Sequence, residues 1–151
     1  MLERRVESVA KLLGLDERLR LRIRRLSGGQ RKRVNIGVEL VADPDILVLD
    51  EPSSGLDPGT EHDLVKLLKR LAQGGRTVVL TTHSMEYLSE YDSIALLMKG
   101  RVVFCGGLPE MLAHFSVPTA AEVFRCLRGA EADDWASRWR ASPLAAKALS
   151  P

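Results

Sequence analysis

Two short apolar runs, each closed by polar side chains and separated by one amphipathic stretch, constrain this chain more than any other feature. Ile46-Leu47-Val48-Leu49 ends in Asp50-Glu51, and Thr77-Val78-Val79-Leu80-Thr81-Thr82 ends in His83. Runs this short and this apolar are typical of parallel strands covered on both sheet faces. Between them, residues 61–73 place Leu64, Leu67, Leu68 and Leu71 at helical spacing, and Gly74-Gly75 closes the helix. Strand, helix and strand in that order predict an α/β fold with a mainly parallel sheet. Both strands then finish at one sheet edge, where Asp50, Glu51 and His83 meet. In open α/β sheets, ligands bind at that edge.

The rest of the chain frames this unit. Leu2, Val6, Val9, Ala10 and Leu13 share one helical face over residues 1–13, and Gly14 is a stop. Residues 16–25 alternate Arg18, Arg20, Arg22 and Arg24 with Leu19, Leu21 and Ile23, and Arg25 follows. The alternation predicts an extended, half-buried segment; a nucleic-acid or anionic-membrane patch is the other reading. A helix is expected over residues 30–42, ended by Asp43-Pro44. Residues 85–90 read as helical. Residues 94–98 and 101–104 read as a hairpin turning at Lys99-Gly100. Three short helices are expected over 109–115, 120–127 and 131–140, and residues 142–151 read as a linker or frayed end. The expected divisions are 1–45, a helical part; 46–107, the strand-bearing core with its hairpin; and 108–151, a helical tail.

Composition excludes several classes. At 45% hydrophobic and 28% charged residues, the chain is neither collagen-like nor wholly disordered. Its net charge of +2 is too small to argue for nucleic acid by itself. The apolar runs fall far short of the ~20 residues of a membrane span, and residues 2–6, Leu-Glu-Arg-Arg-Val, show no secretory h-region. Cys105 and Cys126 have neither metal-type nor redox-type spacing and are expected to be free thiols.

Four features carry chemistry. Ser27-Gly28-Gly29 opens a helix, where unpaired N–H groups and the positive dipole end favour an anion, and glycine lets it approach closely. The plainer alternative is a serine N-cap. Asp50 is a hard oxygen ligand suited to Mg²⁺, and Glu51 is placed to polarise a water; an acidic pair capping a strand is the alternative. Ser54-Gly55-Leu56-Asp57 follows, either as part of the site or as an ordinary turn. His83 can hydrogen-bond a terminal phosphate or be merely exposed.

Leu26-Ser27-Gly28-Gly29-Gln30, then residues 46–51, 54–57 and His83, together resemble the ATP-binding-cassette ATPases. The first looks like the signature motif, the second like the Walker B strand with its catalytic glutamate, the third like the D-loop and His83 like the switch histidine. The run from Arg31 to Leu40 is similar to the exporter branch that includes white and the pleiotropic drug-resistance half-transporters. Residues 113–115, 121–124 and 135–143 resemble the segment leading to the membrane domain in bacterial ATPase–permease fusions.

The resemblance implies a partial P-loop NTPase-type sheet and an ATP-hydrolysing domain of an exporter, with ATP and Mg²⁺ as cofactors. It implies that Leu26, Ser27, Gly28, Gly29 and Gln30 form the signature edge, with Ser27, Gly28 and Gly29 on the γ-phosphate of ATP held by a second subunit. Asp50 serves Mg²⁺, directly or through water, and Glu51 orients or activates the attacking water. His83 contacts the γ-phosphate; Ser54, Gly55, Leu56 and Asp57 form the D-loop, in which Asp57 communicates across the dimer. Expected partners are a second nucleotide-binding domain and a membrane permease, at the cytoplasmic face, with no nucleic acid. No Gly-x-x-x-x-Gly-Lys-Ser/Thr loop occurs in the sequence. The chain is therefore expected to be a C-terminal portion and inactive alone. A soluble cassette ATPase acting on nucleic acid or ribosomes, or a non-catalytic signature-edge module, are the alternatives.

Overall fold

Amphipathic spacing, caps and glycine stops produce the elements in the computed structural model, which describes residues 2–148. Two compact units follow one another, the first ending at His83 and the second beginning at Ser84.

In the first unit, α1 (Leu2–Leu12) ends at Gly14, whose φ of 66° suits glycine. Residues 16–25 are not extended. They form two 3₁₀ turns, Asp16–Arg18 and Ile23–Arg25, and Leu19, Leu21 and Ile23 remain exposed. Alternating Arg and aliphatic residues suit a strand only where a neighbour supplies ladder hydrogen bonds, and here the backbone closes on itself through turns. α2 (Gly28–Val41) starts earlier than the predicted 30–42, because Ser27 caps it. β1 (Ile46–Leu49) and β2 (Thr77–Leu80) pair in parallel, Leu47 opposite Val78 and Leu49 opposite Leu80. α3 (Pro58–Gln73) connects them, with Pro58 inside its first turn and Asp57 as N-cap.

Leu47, Ile36, Leu40, Leu64, Leu67 and Leu71 form the core of this unit, and Leu49, Val78 and Leu80 pack against it. Each fully buried leucine contributes about 1.5–3 kcal/mol over an exposed one. The expectation of strands covered on both faces fails. Val48 is 72% exposed, Ile46 61% and Val79 50%. The buried helices of this unit cover one side of the strand pair, so alternate residues face out.

In the second unit, residues 85–90 do not form the expected helix; only the 3₁₀ turn Leu88–Glu90 appears, without a side-chain cap. β3 (Ile94–Met98) and β4 (Arg101–Gly106) make the expected antiparallel hairpin. Lys99 (φ 47°) and Gly100 (φ 76°) give the two left-handed residues that a tight hairpin turn requires. α4 (Leu108–Phe115), α5 (Ala120–Leu127) and α6 (Ala132–Arg140) match the predicted helices. α7 (Pro143–Ala148) replaces part of the expected linker, since Ser142 Oγ accepts from Ala145 N–H and Pro143 takes the first helical position. Residues 149–151 of that expected linker lie outside the described residues.

Val103, Phe104, Met111, Val123 and Trp139 centre the second core. His114 stands among the rings of Phe115 (5.0 Å), Phe104 (5.7 Å), Trp139 (5.9 Å) and Trp135 (6.2 Å). Its buried Nε2 has no hydrogen-bond partner. Burial, and secondarily the Arg138 charge, push its pKa below the ordinary histidine value. Cys105 and Cys126 are both free thiols. Among the described residues, no helix is long and apolar enough to cross a membrane.

Candidate functional site

The strand register brings three of the predicted residues together. Because Leu49 pairs with Leu80, Asp50 and Thr81 follow side by side. Thr81 Oγ1 donates to Asp50 Oδ1 at 2.6 Å and accepts from Glu51 N–H at 3.0 Å. His83 Nδ1 lies 2.8 Å from Glu51 Oε2. That hydrogen bond, then the Glu51 charge, raise the His83 pKa above its ordinary value. Glu51 itself has φ 45°, a left-handed backbone that a residue with a Cβ adopts at a cost. Its carbonyl accepts from Ser54 N–H at 3.1 Å and from Lys32 Nζ at 3.4 Å.

Asp50 fits a Mg²⁺ ion in one respect. Thr81 occupies one of its carboxylate oxygens and leaves Oδ2, and Mg²⁺ is commonly bound by one or two carboxylates plus phosphates. Among the described residues, no group of three or more His, Cys, Asp or Glu side chains is arranged to hold a metal by itself.

The helix start divides the roles of its residues. Leu26 is buried, and its carbonyl accepts from Arg31 Nη1 at 3.3 Å. Ser27 and Gln30 form a reciprocal capping box: Gln30 N–H donates to Ser27 Oγ (3.2 Å), and Ser27 N–H donates to Gln30 Oε1 (3.0 Å). Ser27 keeps its hydroxyl proton. Gly28 and Gly29 hold the first-turn N–H groups without helical partners. A Cβ at Gly29 would lie 2.4 Å from Thr60 Cγ2, whereas one at Gly28 would meet nothing within 4 Å. Gly29 therefore serves close packing of α2 on the start of α3, and Gly28 is the open position.

Gly28 and the turn after Glu51 line one groove of about 330 Å³, with Ile23, Arg31, Lys32, Asn35, Ser54, Gly55 and Leu56. Gly55 takes φ 75° there. Asp57 is not on this lining. Both its oxygens are engaged by Thr60, through the backbone N–H (3.0 Å) and Oγ1 (2.6 Å), which lowers its pKa.

Two clusters thus result: Asp50, Glu51 and His83 at the sheet edge, and Gly28 with Ser54, Gly55 and Leu56 around the groove. Lys32 touches both. Sequence reasoning missed Lys32 and Thr81. Thr81 was findable as the residue facing Asp50 once the strands were aligned; nothing local marks Lys32.

Comparisons with known proteins give the family of the chain. A family model described as "AAA domain, putative AbiEii toxin, Type IV TA system" matches residues 4–89. The ABC transporter ATP-binding/permease protein Rv1747 of Mycobacterium tuberculosis is 38% identical over 79% of this chain and 14% of its own length. The broad substrate specificity ATP-binding cassette transporter ABCG2 of Bos taurus is 41% identical over 81% of the chain and 19% of its own. The crystal structure of the ADP conformation of MJ1267, an ATP-binding cassette of an ABC transporter, superposes with a TM-score of 0.73 at 27% identity. That match covers 82% of this chain and 50% of that one.

The chain belongs to the AAA-domain family of that model and is an ATP-binding-cassette ATPase domain of the G type. It spans under a fifth of the length of these transporters and about half of the solved cassette.

Proposed function

We propose that the chain is the C-terminal portion of an ATP-hydrolysing domain that energises an exporter, working at the cytoplasmic face of a membrane beside a permease. The observation that carries this reading is the Glu51–His83 hydrogen bond at the carboxyl edge of a parallel strand pair, next to Asp50 fixed by Thr81. ATP-binding/permease and transporter relatives support the membrane partner. In this reading residues 1–45 form a helical part, 46–107 the catalytic core, and 108–151 a tail towards the membrane domain.

The residues divide the work as follows. Asp50 holds Mg²⁺, directly or through water, and the ion neutralises phosphate charge when bound. Glu51 spends one carboxylate oxygen on His83 and keeps the other to orient or deprotonate the attacking water. Protonated His83 donates from Nε2 to the terminal phosphate. Ser27 Oγ and the Gly28 and Gly29 N–H groups bind the γ-phosphate of ATP held by a second such domain. Leu26 and Gln30 hold that helix start in place. Ser54, Gly55 and Leu56 meet the second domain, and Asp57 fixes their turn on α3.

Phosphate contacts of the glycine-rich loop type are absent from the sequence, so the isolated 151-residue chain should not turn over ATP. In a transporter carrying this chain, Glu51→Gln should lower ATP turnover at least ~100-fold while ATP binding persists. Turnover within a few-fold of the parent would overturn the assignment.

A further inference from the structure

The arginines of residues 18–25 have no part in the proposed ATPase, whereas Ile23 among them lines the groove beside Gly28. Arg18, Arg20, Arg22, Arg24 and Arg25 are all exposed, and none pairs with an acidic side chain among the described residues. Three other arginines of this unit are tied down: Arg33 to the Leu13 carbonyl, Arg5 and Arg76 to Asp43. Asp16 and Glu17 are the acids nearest in sequence, and no acid occurs from Arg18 to Arg25. Between the arginines, Leu19 is 47% exposed, Leu21 37% and Ile23 61%.

We propose that residues 18–22 dock on a bilayer surface rich in anionic phospholipid. Guanidinium groups take lipid phosphates, and the interleaved aliphatic side chains enter the acyl boundary below them. Nucleic acid uses the charge only. Leu19 and Leu21 gain nothing on a phosphate backbone, and the run has no aromatic side chain on which a base can stack. The docking needs no nucleotide, so it stands or falls separately from the ATPase reading.

The test is co-sedimentation of the 151-residue chain, without nucleotide, with phosphatidylcholine vesicles and with vesicles of about 30% phosphatidylglycerol. Partitioning should be at least ~10-fold stronger on the anionic vesicles and should fall steeply as salt rises. Arg18→Gln/Arg20→Gln/Arg22→Gln should lose at least ~10-fold, and the matching Lys triple should retain most binding. Circular dichroism checks folding of both; should the Gln triple unfold, the Lys triple and the salt series still decide. Leu19→Ser/Leu21→Ser should remove the binding that persists at high salt. Equal binding to both vesicle types, an unaffected folded Gln triple, or tighter binding to a DNA duplex than to anionic vesicles would overturn the proposal.

Discussion

His83 Nδ1 lies 2.8 Å from Glu51 Oε2, so the histidine after β2 and the second carboxylate after β1 hold one another across adjacent strand ends. The raised His83 pKa makes this an ion pair at mildly acidic pH. Its contribution is complete below the unfolded histidine value of about 6.5 and is lost as pH rises through the folded pKa. Ring-proton NMR should therefore place the His83 midpoint above the ordinary value. Glu51→Gln should return it there; a midpoint indifferent to that change would rule out the pair in solution.

The two glycines at the start of α2 should separate cleanly in urea unfolding. Gly29→Ala forces a methyl onto Thr60 Cγ2 and should cost about 1–3 kcal/mol. Gly28→Ala should stay within about 0.5 kcal/mol, because its Cβ meets nothing. Thr60→Ser removes the obstructing methyl while retaining a hydroxyl for Asp57, so it should rescue most of the Gly29→Ala loss.

His114 predicts an acid-side weakness of the second unit. Its lowered pKa means the unfolded chain binds more protons as pH falls below about 6.5, so stability declines in that direction, until pH reaches the folded pKa. Trp135 and Trp139, the two tryptophans of the chain, sit beside it and report the unfolding by fluorescence. His114→Phe should flatten the pH slope. A slope unchanged by that substitution would assign the acid sensitivity elsewhere.

The one-sided sheet makes opposite predictions for neighbouring residues. Leu47→Ala should cost about 2–5 kcal/mol in denaturant unfolding, since Leu47 is 2% exposed. Val48→Thr should be tolerated within about 0.5 kcal/mol. A large loss at Val48 would mean that its face is covered in solution.

Much of this was legible from local patterns. The leucine spacing of α3, the apolar runs of β1 and β2, and Lys99-Gly100 at the hairpin each depend on neighbours in sequence. Ser27 and Gln30 are three residues apart, which is itself a capping-box pattern. Thr81 and Lys32 were not legible, because their roles come from strand register and from α2 approaching the turn after Glu51. The left-handed backbone of Glu51 was equally hidden, since nothing about a glutamate advertises it. Alternation misleads at residues 16–25, where a period of two predicts an extended, half-buried segment although no partner ladder forms. The tail misled in the opposite way: Ser142-Pro143 is a helix start, and a count of small residues and prolines conceals that.

The contact between Gly29 and Thr60 also has a mechanical consequence. With no room for even a methyl group, the first turns of α2 and α3 cannot slide past each other without opening a gap or colliding. Gly28 rides on one of these turns, and Ser54, Gly55 and Leu56 lead into the other. A push on either rim of the groove is therefore felt by the opposite rim, and the two behave as a single lever.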